Sequence, residues 1–293
     1  MTNYKIKKPV LTVYMPVFNA ASYVSAAIES ILSQYYTNFE FIIVDDCSTD
    51  KTYSLLKSFA RQDSRIRLYK NKINLGVSAT SNIAISLAHG QYLARMDADD
   101  MSLPDRFQKQ IKFLKDNKNV VAVGGQCVVI DSENKIIGYK KFPVQSEKLT
   151  DMLFWAIPLQ QPSMMINRSL LPQNFTWYIK NQTSAEEVNL MFNLLKFGQL
   201  ANLPDYLIYY RQLATSLSHI NPKNTFFLTV QSRISALSGG HSPSFKALIF
   251  NIIQLFGVII LPTKLINALW NIIRGINSGE SQYEIGTFVP TKV

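Results

Sequence analysis

Phe39-Glu-Phe-Ile-Ile-Val44-Asp45-Asp46-Cys47-Ser48-Thr49-Asp50-Lys51-Thr-Tyr-Ser-Leu-Leu-Lys-Ser-Phe-Ala-Arg61 is the stretch whose reading decides the fold. Phe39 to Val44 is a short β-branched and aromatic run, which reads as a strand. Lys51 to Arg61 carries Leu55, Leu56 and Phe59 at helical spacing. Between them lies an acidic loop, with Ser48 and Asp50 placed to cap the helix. A strand, a short polar loop and a helix form one βα unit, and the same grammar repeats on both sides. Strands are expected at Leu11 to Met15, Ile66 to Lys70, Tyr92 to Met96 and Val120 to Val129. Helices are expected near Ala21 to Ser33, Val77 to Ala88 and Pro104 to Asn117, with Pro104 at a first helical position. Alternation of this kind predicts an α/β domain with a mostly parallel, Rossmann-like sheet flanked by helices.

The 293 residues carry 30 Lys+Arg against 20 Asp+Glu, a net charge of +10, which favours anionic partners. With 47% hydrophobic residues the chain can bury a sizeable core. Cys47 and Cys127 are too few for a disulfide framework, so a reducing compartment is expected. Met1 to Lys8 passes through Pro9 into a strand without the apolar stretch of a signal peptide. Ala247 to Thr263 lacks charge but falls short of the roughly 20 apolar residues of a spanning helix. There is no G-x-G-x-x-G or P-loop pattern, and the basic residues do not interleave with aromatics as in a nucleic-acid module. His89, His219 and His241 are scattered without ligand spacing, so surface or capping roles are expected.

Two acidic clusters stand at the C-terminal ends of expected strands, Asp45-Asp46 with Asp50, and Asp97-Ala-Asp99-Asp100. That sheet edge is where open α/β folds bind ligands. Carboxylates gathered there repel one another unless a cation or hydrogen-bond donors compensate. A hard divalent metal such as Mn²⁺ or Mg²⁺, which takes oxygen ligands and phosphates, is the economical explanation.

Pro16-Val-Phe-Asn-Ala20, Val44-Asp-Asp-Cys-Ser-Thr-Asp-Lys-Thr52, Asn74-Leu-Gly76 and Arg95-Met-Asp-Ala-Asp-Asp100, followed by Pro104 and Arg106, resemble the inverting family-2 glycosyltransferases of the GT-A type. The likeness is strong over residues 9–131 and weaker over 150–218. It implies a nucleotide-diphospho-sugar donor, a UDP-sugar by preference, held by Pro16, Phe18, Asn19, Asp46, Asn74, Arg95, Asp97 and Asp99. Within that set it implies base contact for Asp46, a nucleoside pocket at Pro16 and Asn19, and a DXD element in which Asp99, with Asp97, meets the metal. In the acceptor half the chain departs from the family pattern. His-Pro-Ser reads Gln161-Pro-Ser163. The Glu-Asp pair that carries the general base reads Glu186-Glu187, and register selects Glu187 as the base. The following Arg is Asn193. Tyr210-Arg211 is kept, and a frequent His falls at Leu213. Gln161, Glu186 and Arg211 are therefore the acceptor-region candidates.

The expected function is sugar transfer with inversion to a hydroxyl of a glycan or lipid-linked saccharide, in bacterial-type cell-surface polysaccharide synthesis. The departures motivate an alternative, a degenerate nucleotide-sugar-binding or scaffold protein of a polysaccharide-assembly complex. The domain reading is 1–218 for the catalytic unit, with 9–131 the donor half and 132–218 the acceptor half, and 219–293 for a linker and C-terminal helices. In that tail Lys264, Asn267, Asn271 and Arg274 recur at three- and four-residue steps opposite Leu265, Ile266, Leu269, Trp270, Ile272 and Ile273, an amphipathic pattern. Peripheral contact with the cytoplasmic face of a membrane is expected from it.

Overall fold

The computed structural model describes residues 9–180, 182, 184–213, 221–262, 265–266 and 276–277. The first strands fall where the sequence pattern puts them: β1 Leu11–Val17, β2 Phe39–Asp45, β3 Ile66–Lys70 and β4 Tyr92–Arg95. Helices α1 Val24–Leu32, α2 Thr52–Gln62 and α3 Val77–Ser86 connect them. Strands β3, β2, β1 and β4 lie side by side and all run parallel. Every residue of β2 is buried, the mark of a strand covered on both faces.

Side-chain alternation sorts the helices into two layers. Leu11, Val13 and Met15 face one layer with Ile28 of α1, Leu56 of α2, and Phe107 and Ile111 of α4 (Arg106–Asp116). Tyr14, Ile42 and Val44 face the other, with Ile85 of α3, Leu149 of α5 (Ser146–Leu153) and Met191 of α6 (Glu186–Leu194). Helix α4 begins at Arg106, so Pro104 precedes the helix rather than opening it. Asp50 does accept the Thr52 N–H at 2.9 Å, while the Ser48 hydroxyl is turned to the Asn19 N–H at 3.0 Å.

Beyond β4 antiparallel strands join the parallel half and the sheet becomes mixed. Strand β5 (Met101–Ser102) is followed by β6 (Val120–Ile130), β7 (Ile136–Lys140), β8 (Met165–Asn167) and β9 (Gln199–Arg211). Strand β8 inserts antiparallel between β4 and β6. Strand β9 runs parallel to β6 and, near its end, antiparallel to β5. The short strand β10 (Ile276–Asn277) pairs with β7.

Two further helices, α7 (Pro222–Ser238) and α8 (Phe245–Ile260), close the second layer, and Ala236 and Ala247 join its core. On α8 the inward stripe is Ala247, Asn251, Gln254 and Val258, at four- and three-residue steps. The remaining face is apolar and uncovered among the described residues: Phe245 is 78% exposed, Phe256 61% and Ile260 73%. No described helix is long and apolar enough to cross a membrane. The stripe positions 264, 267, 271 and 274 lie outside the described residues, as does His219; Ile266 is buried against Phe226 and Val258.

Candidate active site

The C-terminal ends of β1 and β2 are tied into one platform. Thr49 N–H donates to Asn19 Oδ1 at 2.9 Å, and Ala20 N–H to Thr52 Oγ1 at 2.8 Å. Asn19 and Cys47 both sit in the left-handed region, φ +47° and +63°, where the chain turns back on itself. Asp46 anchors the next loop. Its Oδ1 accepts from Asn71 Nδ2 and from the Leu75 N–H, and its Oδ2 from the Gly76 N–H, all at 2.8 Å. The carboxylate thus shapes the Asn74-containing loop from below. Gly76 has φ +83° and ψ 164°, a conformation that glycine adopts and L side chains rarely do.

After β4 comes the aspartate turn. Arg95 is buried, stacks near Tyr14 and Tyr178, and donates from Nε to Asp97 Oδ1 at 2.7 Å and from Nη1 to Ser81 Oγ at 2.9 Å. Burial and the neighbouring Asp97 push the Asp99 carboxyl up to about 6. Asp100 is buried outright. Its Oδ1 accepts the Arg211 N–H at 2.7 Å, its Oδ2 has no partner among the described residues, and burial followed by Asp99 and Asp97 raises its pKa strongly. Arg211 also donates from Nε to the Asp99 carbonyl at 2.8 Å and from Nη2 to Asn134 Oδ1 at 2.6 Å. It therefore braces the aspartate turn. Arg106 supports the turn from behind, donating to the Arg95 carbonyl at 2.9 Å.

Helix α6 enters the site through Ala185, itself in the left-handed region at φ +56°. Glu186 is buried. Burial raises its pKa against the pull of Arg95, and its carboxylate is hydrogen-bonded to Gln161. Gln161 Nε2 donates to the Tyr178 hydroxyl at 3.2 Å, and that hydroxyl meets the Tyr14 hydroxyl at 2.8 Å. A continuous polar network therefore runs Tyr14–Tyr178–Gln161–Glu186 around the Arg95 guanidinium. Glu187, one residue on and about 100° around the helix, is less buried and lines the cleft.

All these elements open onto one cavity of about 900 Å³. The donor, metal, base and acceptor-region candidates all line it, namely Pro16, Phe18, Asn19, Asp46, Asn74, Arg95, Asp97, Asp99, Gln161, Glu186, Glu187 and Arg211, whereas Asp45, Asp50 and Asp100 of the acidic clusters do not. Sequence reading missed Tyr14 and Tyr178, which carry the network, and Trp155, Arg233 and Gln254, which complete the wall. The buried tyrosines gave no polar signal in apolar or loop segments, and a lone Arg in a weakly patterned helix reads as a surface residue.

The residues fit a divalent cation. Asp99 is disfavoured as a carboxylate and Asp100 Oδ2 is orphaned, so positive charge at the turn would relieve both. No three His, Cys, Asp or Glu groups converge to hold a metal among the described residues. The remaining coordination would fall to phosphate oxygens, as is usual for Mg²⁺ or Mn²⁺.

A mixed sheet with helices on both faces, an aspartate turn at its edge and a carboxylate-bearing helix facing the same cleft define a fold similar to the GT-A glycosyltransferases. Residues 12–175, more than half of the chain, match Glycosyl transferase family 2, and the chain belongs to that family. It is 31% identical over 211 residues to an uncharacterized glycosyltransferase of Haemophilus influenzae, covering 69% of this chain and 65% of that protein. It is 29% identical over 206 residues to a Bacillus subtilis protein named for teichuronic acid biosynthesis, TuaG, covering 64% of this chain and 80% of the other. Against the first three relatives matched, the chain spans 45% to 65% of their length. Among solved structures, Staphylococcus aureus TarS 1–349 in complex with UDP-GlcNAc superposes with a TM-score of 0.58 at 17% identity, over 76% of this chain and 66% of the other. The mannosyltransferase PcManGT of Pyrobaculum calidifontis, in complex with GDP-Man and Mn²⁺, gives 0.57 at 16% identity, over 92% and 85%.

Proposed function

We propose that this chain transfers a sugar, with inversion, from a nucleotide-diphospho-sugar to an acceptor hydroxyl. The observation that carries the reading is the convergence of the Asp46 platform, the Asp97–Asp100 turn and the Glu186–Glu187 helix on one cavity. Residues 9–131 hold the donor: the platform at Pro16, Phe18 and Asn19 and the loop at Asn74 receive the nucleoside, and the aspartate turn receives the diphosphate. A UDP-sugar is the favoured donor, since TarS is described with UDP-GlcNAc. Asp99, with Asp97, would hold a divalent cation, which supplies Lewis-acid stabilisation to the leaving diphosphate. Glu187 takes the proton from the acceptor hydroxyl as that oxygen attacks the anomeric carbon and the bond to the diphosphate breaks. Glu186 is engaged by Gln161 and the Arg95 field, which supports a positioning role for it and leaves proton acceptance to Glu187.

Residues 132–218 then hold the acceptor, and the TuaG relationship supports a saccharide of a cell-surface polysaccharide. The uncovered apolar face of α8 supports peripheral contact with a membrane, which this reading puts on the cytoplasmic side. Titration of the protein with UDP, with and without Mn²⁺, and transfer assays with a panel of UDP-sugars test the donor reading. Absence of nucleotide binding under either condition would sink it; binding without turnover against every acceptor would favour the scaffold alternative.

A further inference from the structure

Arg233 of α7 is 6% exposed, and no carboxylate lies within ion-pair distance of it among the described residues. A cation withdrawn from water without a counter-charge is costly. Here burial alone brings the Arg233 pKa down to about 9, still charged at neutral pH. The surroundings satisfy part of the guanidinium with neutral acceptors. Nε donates to the Leu153 carbonyl at 3.2 Å and Nη1 to Asn251 Oδ1 at 2.8 Å.

Those acceptors are themselves aimed. Asn251 Nδ2 donates to the Ala247 carbonyl at 2.8 Å, and Gln254 Nε2 to the Trp155 carbonyl at 2.8 Å, so both amide oxygens are turned toward Arg233. The third nitrogen, Nη2, makes no hydrogen bond among the described residues and is not one of the sealed, unpartnered atoms. Arg233 lines the same cavity as Glu187, and Ser232 beside it accepts from Asn189 of α6 at 3.3 Å, which fixes the two helices in register.

The wall near this cation is apolar, with Trp155, Ile157 and Phe226 also lining the cavity. Gln254 belongs to α8, whose other face is the uncovered apolar surface ending at Phe256 and Ile260. A buried unpaired arginine, an apolar wall and an adjoining apolar surface together suit a phosphate attached to a hydrocarbon chain. We propose that Arg233 is the phosphate subsite for a lipid-phosphate-linked acceptor, whose hydrocarbon chain leaves the cleft along α8. The inference rests on the reading of the cavity as a glycosyl-transfer site, and it adds the chemistry of the acceptor's non-sugar end.

Farnesyl diphosphate, inorganic diphosphate and farnesol serve as probes in calorimetric titrations of the full chain. EDTA is present so that no cation recruits diphosphate to the aspartate turn. Farnesyl diphosphate is expected to bind at least tenfold more tightly than either of the others. Arg233→Gln should weaken it by roughly tenfold or more, the loss of one charge-assisted contact. Arg233→Lys keeps the cation but not the fork, and should fall between the two; it also decides the matter if the Gln variant fails to fold. Equal binding of farnesol, inorganic diphosphate binding as tight as farnesyl diphosphate, or affinity unchanged in both variants would each overturn the proposal. UDP affinity, measured separately with Mn²⁺, belongs to the donor reading, so its loss in the unmodified chain would remove that reading while the farnesyl diphosphate result still stands.

Discussion

Arg95 Nε donates to Asp97 Oδ1 at 2.7 Å, and the two side chains differ in depth, the guanidinium 3% exposed and the carboxylate 29%. Asp97 is thus the counter-charge of a buried arginine, whereas Asp99 has no ion pair among the described residues and is pushed toward neutrality. The two acids should separate on substitution. Asp99→Asn is expected to leave the fold intact and to reduce Mn²⁺-dependent UDP affinity by at least tenfold. Asp97→Asn is expected to cost about 2 kcal/mol of stability as well, because it strands the Arg95 charge. Denaturant midpoints beside UDP titrations read both effects; equal stability loss in the two variants would contradict the assignment.

Glu187→Gln should retain nucleotide binding and lose transfer by roughly 10²- to 10⁴-fold, the range that general base assistance supplies. Glu186→Gln should do much less to kcat, since the amide can still meet Gln161. Steady-state kinetics on both variants, with UDP affinity as the control, decides which acid takes the proton.

Glu40 offers a stability test away from the site. It accepts from Thr12 Oγ1 at 2.7 Å, from the His89 N–H at 2.6 Å and from Arg67 Nη1 at 2.6 Å. Burial by itself would raise its pKa, but these donors outweigh burial and the folded value lies below the ordinary one. The unfolded chain therefore holds this proton more tightly, so the contribution is complete above the ordinary carboxylate range and fades as pH falls through the folded value. Glu40→Gln should cost about 2 kcal/mol at pH 7, and the gap from the unmodified protein should narrow as pH falls below about 4. Urea midpoints across pH 3 to 7 measure the convergence.

Gly76→Ala should destabilise the protein by about 1–3 kcal/mol, through backbone conformation alone, since open space surrounds the position where a methyl would stand. It should also weaken UDP binding, because the Gly76 N–H holds Asp46. Ala185→Gly, at φ +56°, works in the other direction, with an expected gain of up to about 1 kcal/mol. Thermal melts compare the two.

Phe256→Glu and Ile253→Glu alter residues 61% and 59% exposed, so neither should shift the melting temperature appreciably. Each should reduce cosedimentation with anionic lipid vesicles by roughly tenfold, the equivalent of one apolar side chain kept out of the interface. Unchanged pelleting would show that this face does not meet lipid.

The first half of the molecule was legible because each local signal agrees with the tertiary result. Ile28 and Ile31 mark the buried side of α1, and the unbroken apolar run of β2 marks a strand covered on both faces. Strand β9 was not legible. Pro204 and Asp205 interrupt its alternation, and the pairing with β6 slips there, between Gly124 and Gln126. The short β8 has only Met165–Asn167, too little for a periodic signal. Asp46, Asp97 and Asp99 could be read from their place at strand ends, and Glu186 and Glu187 from the family resemblance. The network beneath them could not, because Tyr14 and Tyr178 are 164 residues apart and meet only through the fold.

Strand β9 starts five residues after α6 ends and finishes at Arg211, whose N–H and Nε hold Asp100 and Asp99. It also pairs with β5, directly after the aspartate turn. The aspartate turn and helix α6 are therefore linked through one strand, like the jaws of a fixed-gauge calliper. An inserted or deleted residue between 195 and 211 should change that gauge, and with it the distance from the turn to Glu187. The Trp155–Gln161 segment and the helices after residue 221 stand outside that span and line the same cleft. Substitutions there can reshape the walls while the spacing between the aspartate turn and Glu187 stays as it is.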